Sequence, residues 1–292
     1  MTRRDDEQGM ILINVLMFVA IASGLVLLMI GREELALDRA LRSREAARAA
    51  AIVRGGELSA IAALQRDALA APDVDHAGEA WASIGASGAA IDGGTFDLAV
   101  SDAEGRFNVN SLRSGDAVPV ILFQKLAAIA GLDEQQTVEA IAYVRSQGPV
   151  TDIRPIRLLP GADPAAIARL ERMVTALPGK TTINLNAADE ELLAFLFDDP
   201  VAAQRLVAIR KRNGQVTLRD LSDLKISQPP GTGFRSSTFW VRVRATIGDT
   251  AQQGATLIQR RWTVENGVET VPVARWRNAA VPPEAPAFAV RS

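Results

Sequence analysis

The chain has 292 residues, 48% of them hydrophobic and 23% charged, with a formal net charge of −2. It can bury a packed core of one large or two small domains, and its near-neutral charge argues against a protein whose chief ligand is a nucleic-acid backbone. With no cysteine and a single histidine, His76, it excludes disulfide frameworks, thiolate catalysis, cysteine-ligated zinc and most histidine-based centres.

Arg3, Arg4, Asp5, Asp6 and Glu7 crowd the residues ahead of Gly9. Residues 10–30 then carry no formal charge and are interrupted only by Asn14, Ser23 and Gly24. As a helix these about 21 residues span roughly 32 Å, enough for a bilayer core. A secretory signal would place a small-residue cleavage site after a shorter apolar core. Here Gly31-Arg32-Glu33-Glu34 follows, and the small residue suited to cleavage, Gly9, lies before the run. A cut there keeps the membrane segment in the mature protein. Arg32, Arg39, Arg42, Arg44 and Arg48 follow the segment against Arg3 and Arg4 before it. Counted alone, these charges put the C-terminal bulk in the cytoplasm.

From Gly31 to about Ala70 the sequence predicts a continuation of the same helix, half in lipid and half outside, with Gly55-Gly56 as the expected bend and Pro72 as its end. Residues 72–95 read as a connecting loop in which His76 is solvated. Asp73, Asp75 and Gly78 imitate the start of an EF-hand loop, but Ile84 stands where the closing Glu is needed. Alternation predicts a strand over 95–100, a turn at 102–105 and a return strand over 106–110, together a hairpin. Helices follow over 120–130, 134–145 and from Asp163-Pro164 to Met173, then one capped by Asn186 and one over 201–212. Within this block Phe107-Asn-Val-Asn110 echoes Ile183-Asn-Leu-Asn186, and Gly148-Pro-Val-Thr151 echoes Gly214-Gln-Val-Thr217. Strands return at 239–247, 255–264 and 270–276, the last two joined by a turn at Glu265-Asn266-Gly267. Pro282, Pro283 and Pro286 mark an unstructured tail.

Gln8-Gly9 followed by Met10-Ile-Leu-Ile-Asn-Val, a retained membrane helix and an antiparallel sheet resemble the type IV pilin-like proteins, and among them a minor pseudopilin of type II secretion. Asp102-Ala-Glu-Gly-Arg-Phe-Asn-Val-Asn-Ser-Leu112 and Leu177-Pro-Gly-Lys-Thr-Thr-Ile-Asn-Leu-Asn-Ala-Ala188 carry the likeness through the chain. The resemblance implies an α+β pilin-like fold: a long N-terminal helix on an antiparallel sheet, with a large inserted all-helical domain of SAM-like or helix-hairpin-helix-like form. The expected divisions are a leader at 1–9, a transmembrane half at 10–31 and a periplasmic half of the helix at 32–71. A head follows at 72–112 and 234–280, with the insertion at 113–233 and the tail at 281–292.

The resemblance also implies processing: a prepilin peptidase cuts after Gly9 and methylates Met10. It places the leader in the cytoplasm and the bulk in the periplasm, anchored by one pass in the bacterial inner membrane, and this overrides the arginine count. Pilins carry Glu at the fifth residue after the cut, to neutralise a neighbour's amino terminus. Here that residue is the uncharged Asn14, which the resemblance implies for a subunit at the filament tip. Implied partners are the other minor pseudopilins (GspI, GspJ and GspH). Calcium is associated with the family, and Asp97, Asp102 and Glu104 are the candidate ligands. The departures are the acidic leader and a short insertion. The competing reading is a membrane-tethered helix-hairpin-helix protein that binds DNA, with Arg205, Arg210, Lys211 and Arg212 as its basic patch. Its hairpin turn, Phe197-Asp-Asp-Pro200, is acidic and has no glycine to approach a phosphate. No catalytic constellation is assembled from these residue types, so an enzyme is not expected.

Overall fold

The computed structural model describes residues 3–263 and 267–288, with side chains from Ile13 onward. A single helix, α1 (Arg3–Ala70), runs without interruption through the apolar segment to the head. From Ile13 to Ile30 its large apolar side chains are exposed. From Ala49 onward one face is buried: Ala49, Gly56, Glu57, Ala60, Ala63, Leu64, Asp67 and Ala68 recur at helical spacing. α1 is not broken at Gly55-Gly56, the position of the expected bend. Gly56 instead faces the sheet, where a Cβ would meet Val243 at 2.9 Å and Phe96 at 3.1 Å, whereas one at Gly55 would meet nothing within 4 Å.

The sheet has five strands, β1 (Ala86–Ile91), β2 (Gly94–Asp102), β7 (Thr238–Ile247), β8 (Thr250–Thr263) and β9 (Gly267–Arg277), in the order β1-β2-β7-β8-β9, antiparallel throughout. Period-two alternation divides its faces. Phe239, Val241, Val243 and Ile258 pack with Ala60 and Leu64 of α1, and the edge of Trp81 meets Phe239 at 5.1 Å. Each such buried side chain contributes about 1.5–3 kcal/mol. Trp240, Ala255 and Leu257 point to the other face. Pro272 sits on edge strand β9, next to an irregularity in register between Leu257 and Ile258, where a missing N–H is tolerated.

Two sequence expectations are corrected here. Part of 72–95 is strand β1, joined to β2 by the two-residue turn Asp92-Gly93, with Gly93 at φ +73°. The hairpin over 95–110 does not form. β2 takes β1 and β7 as its neighbours, and β3 (Phe107–Asn108) pairs in parallel with β4 (Val174–Thr175). The turn at 265–267 lies, apart from Gly267, outside the described residues.

Between β2 and β7 lies a helical unit with its own core: α2 (Ala117–Ala130), α3 (Glu134–Ser146), α4 (Pro164–Met173), α5 (Glu190–Phe197), α6 (Pro200–Asn213) and α7 (Leu218–Asp223). Gly131 ends α2 at φ +99°, and Asp163 caps α4 ahead of Pro164. A second parallel pair, β5 (Ile183–Asn184) with β6 (Thr232–Gly233), mirrors the first. The sequence echo has a structural basis in its asparagines. Asn110 and Asn186 each bond both backbone groups of one residue, Val150 and Val216 respectively, donating to its carbonyl and accepting from its N–H. Asn186 is therefore not a helix cap, and Asp189 caps α5. The described part of the tail, 281–288, is not loose, since Pro282 and Ala285 are buried.

Gly56→Val is expected to lower stability by about 1–3 kcal/mol by forcing α1 off β7. Gly55→Ala is expected to raise it by up to about 1 kcal/mol. Thermal unfolding of the detergent-solubilised chain checks both.

Candidate assembly interface

α1 presents two different surfaces. The sheet-facing one is held by buried polar ties at intervals along the helix. Glu45 accepts from Thr250 Oγ1 at 2.8 Å. Glu57 takes a two-pronged contact from Arg275, with Nε at 3.0 Å and Nη2 at 2.8 Å, and further bonds from Thr256 Oγ1 at 2.9 Å and Arg54 at 2.5 Å. Burial pushes the Glu57 carboxyl up, but these donors together hold it below the usual range.

At the end of the helix Asp67 meets Arg260 of β8. Arg260 is 4% exposed, donates to Asp67 at 3.2 Å, to Asp75 and to the Ser236 carbonyl at 3.1 Å, and stacks over Phe239 at 4.2 Å. One guanidinium thus joins α1, the segment after it, and the strand that leaves the helical unit. Burial, with Glu79 nearby, pushes Asp67 up to about 6 against the pull of Arg260.

Among the described residues nothing covers the outward surface of α1. Leu37, Leu41, Leu58 and Leu69 are exposed, as are Ala51, Gly55 and Ala62. Ala51, Gly55, Leu58, Ala62 and Leu69 follow one another at three, four and seven residues, a single stripe opposite the sheet. Small residues there let another helix approach closely. The stripe continues the exposed apolar segment, whose described part carries a window of mean hydropathy 2.6 with none of it buried. Asn14 lies at its start and is exposed among Ile13, Val15 and Leu16. Gly9 and Met10 fall within the backbone of α1, and the Met10 side chain is outside the described residues.

The three candidate calcium ligands do not converge. Asp97 is committed to Arg244 Nε at 2.8 Å and to the Gly88 N–H at 2.8 Å. Asp102 accepts from Glu104 N, Asn184 Nδ2 and Ser236 Oγ, while Glu104 accepts from Ser237 N and Oγ. Calcium needs several free oxygens around one point, and these residues do not fit it. Asp67, Asp75 and Glu79 do place oxygens within 4.8 Å of one another. Arg260 already occupies Asp67 and Asp75, and Glu79 accepts from Trp81 Nε1 and His76 N, so the group is an ion-paired seam. Sequence reasoning missed it because Arg260, which joins its carboxylates, lies 193 residues from Asp67 and 185 from Asp75. The available signal was Arg260, a charge at a sheet position otherwise facing the core. His76 is half-buried, its Nδ1 accepting from Gly78 N, and it lines a cleft of about 650 Å³ with Trp81 and Lys211.

No family model matches the chain. It is similar to type II secretion system protein K of Pseudomonas aeruginosa, 29% identical with 88% of this chain and 90% of that protein covered. It is also similar to the protein of that name from Klebsiella pneumoniae, 25% identical over 87% and 93%. Among solved structures it resembles a chain of the GspK-GspI-GspJ complex of enterotoxigenic Escherichia coli. The TM-score is 0.63 at 20% identity, with 82% of this chain and 99% of that one covered.

Burial pushes Asp102 up to about 6 and Glu104 up to about 7, against their hydrogen-bond donors. A folded-state value above the unfolded one stabilises the fold at low pH, and that stabilisation is lost as pH rises through 6 to 7. The melting temperature is therefore expected to fall by about 5 °C between pH 5 and pH 8. Glu104→Gln is expected to flatten that dependence in a calorimetric pH series.

Proposed function

We propose that this chain, a homologue of type II secretion system protein K, is a minor pseudopilin that helps to build the pseudopilus through which that system exports proteins. One observation carries the reading. α1 is bolted to its own head on one face while its other face, continuous with a membrane-spanning segment, is left open. A soluble protein would not leave this stripe uncovered, whereas a filament subunit needs it for its neighbours' helices.

In this role the chain is a single-pass protein of the bacterial inner membrane with its head and helical unit in the periplasm. A prepilin peptidase removes residues 1–9 and methylates Met10. Its partners are the other minor pseudopilins, GspI, GspJ and GspH. Asn14 offers no carboxylate to a neighbour's amino terminus, which suits the first subunit of the filament, with none ahead of it. The role is structural, and the only reaction in it is done to the chain.

The DNA-binding alternative is disfavoured at its hairpins. Asp199 Oδ1 accepts from the N–H groups of Val201 and Ala202, and Asp133 Oδ1 from that of Gln136. The backbone donors that would hold a phosphate are thus taken by carboxylates of like charge to the ligand.

Co-expression with a prepilin peptidase tests the reading. Mass analysis of the product is expected to show a chain beginning at methylated Met10, and an unchanged N-terminus would contradict it. In a paired experiment, a low-salt gel shift is expected to show no tight DNA binding.

A further inference from the structure

The helical unit and the head are separate bodies with separate cores. The core of the unit draws on residues 107–221, and that of the head on α1 and the sheet. Bodies joined this way rock against each other unless something restrains them. One apolar cluster is shared between them: Trp240, Ala255 and Leu257 of the sheet meet Leu177 of the unit, and Ala285 of the tail, 7% exposed, closes it.

The rest of the tail continues the bridge. Glu284 Oε1 accepts from the backbone N–H of Ile153, inside the helical unit, at 3.0 Å. The Pro286 carbonyl accepts from Arg242 of β7 at 3.1 Å, and the Phe288 ring lies 4.6 Å from the guanidinium carbons of both Arg242 and Arg244. Pro282, Pro283 and Pro286 pre-set the extended backbone, which lowers the entropy lost on docking. Between this segment and the junction lies a cleft of about 480 Å³, lined by Asp102, Arg106, Asp189 and Trp240.

We propose that residues 281–288 are a strap that sets the angle of the inserted helical unit on the head, so that lifting the strap frees the unit as a body without unfolding it. The strap crosses from the unit at Ile153 to the sheet at Arg242 and Arg244, at a different point from the Asn184 bonds to Asp102 and Ser236, so it restrains rotation that the covalent crossings and those bonds at the junction still permit. This inference rests on the fold and does not depend on the secretion reading.

The absence of cysteine makes the test direct. Arg205→Cys on α6 and Asp249→Cys at the β7–β8 turn are introduced into the full chain in detergent micelles and spin-labelled. A single narrow distance is expected with the strap in place, and a distribution broadened about twofold when the chain stops after Ala280. Ala285→Asp, in the otherwise intact chain, drives the strap from the shared cluster and is expected to broaden it likewise. Glu284→Ala is expected to speed amide exchange at Ile153 by about tenfold, whereas Glu284→Gln, which keeps the acceptor, leaves it unchanged. A folded truncated chain with the original narrow distance, an Ala285→Asp chain that keeps it, or equal exchange in all three Glu284 forms overturns the proposal.

Discussion

Arg260 is the side chain on which the head depends. A guanidinium out of water is costly unless its donors are all used and its charge is met. Here it is met twice, by Asp67 at the end of α1 and by Asp75 in the segment that follows, while the Ser236 carbonyl accepts a further bond and the Phe239 ring lies against its face. Asp75 in turn accepts from the Ser236 N–H, and Ser236 Oγ donates to Asp102. The helix, the sheet and both strands that bound the helical unit are thus closed by one polar seam. Such a seam adds less net energy than an apolar core of the same volume, but losing any one partner leaves a buried charge or donor unmet.

Asparagine does for the helical unit what arginine does for the head. Asn108 and Asn184 each accept from the backbone N–H two residues on. The former donates to Gly179 of the neighbouring loop, and the latter to Asp102 and Ser236 of the head. The two halves of the unit are copies of one design, and the second copy has turned its spare donor outward to the junction. These polar bonds position the unit together with the apolar cluster that Leu177 shares with the sheet. That leaves room for a third restraint in the tail.

The elements with strong periodicity were legible in the sequence. The apolar run fixed the anchor, the alternation of Phe239, Val241, Val243 and Ala245 fixed a central strand, and the Asn-x-Asn echo pointed to a repeat. What escaped was non-local or very short. β3 to β6 are two residues each and pair in parallel across long separations, so they leave no period to read. β1 hid in a run rich in Gly, Ala and Ser, although Asp92-Gly93 marked its turn. Gly56 looked like a weak point in a helix, but its missing Cβ is what lets α1 approach β7. The tail looked loose because prolines interrupt it, and here they shape an extended segment that docks.

In the proposed role α1 serves two partners at once, its own sheet and a neighbouring subunit. In cells carrying a type II secretion system, single cysteines at Ala51, Leu58 and Ala62, compared with Ala60 and Leu64, put this to a direct crosslinking test. Crosslinks to other pseudopilins from the first three positions, and none from the last two, are the expected result. Crosslinks from neither set, or from both equally, would contradict it.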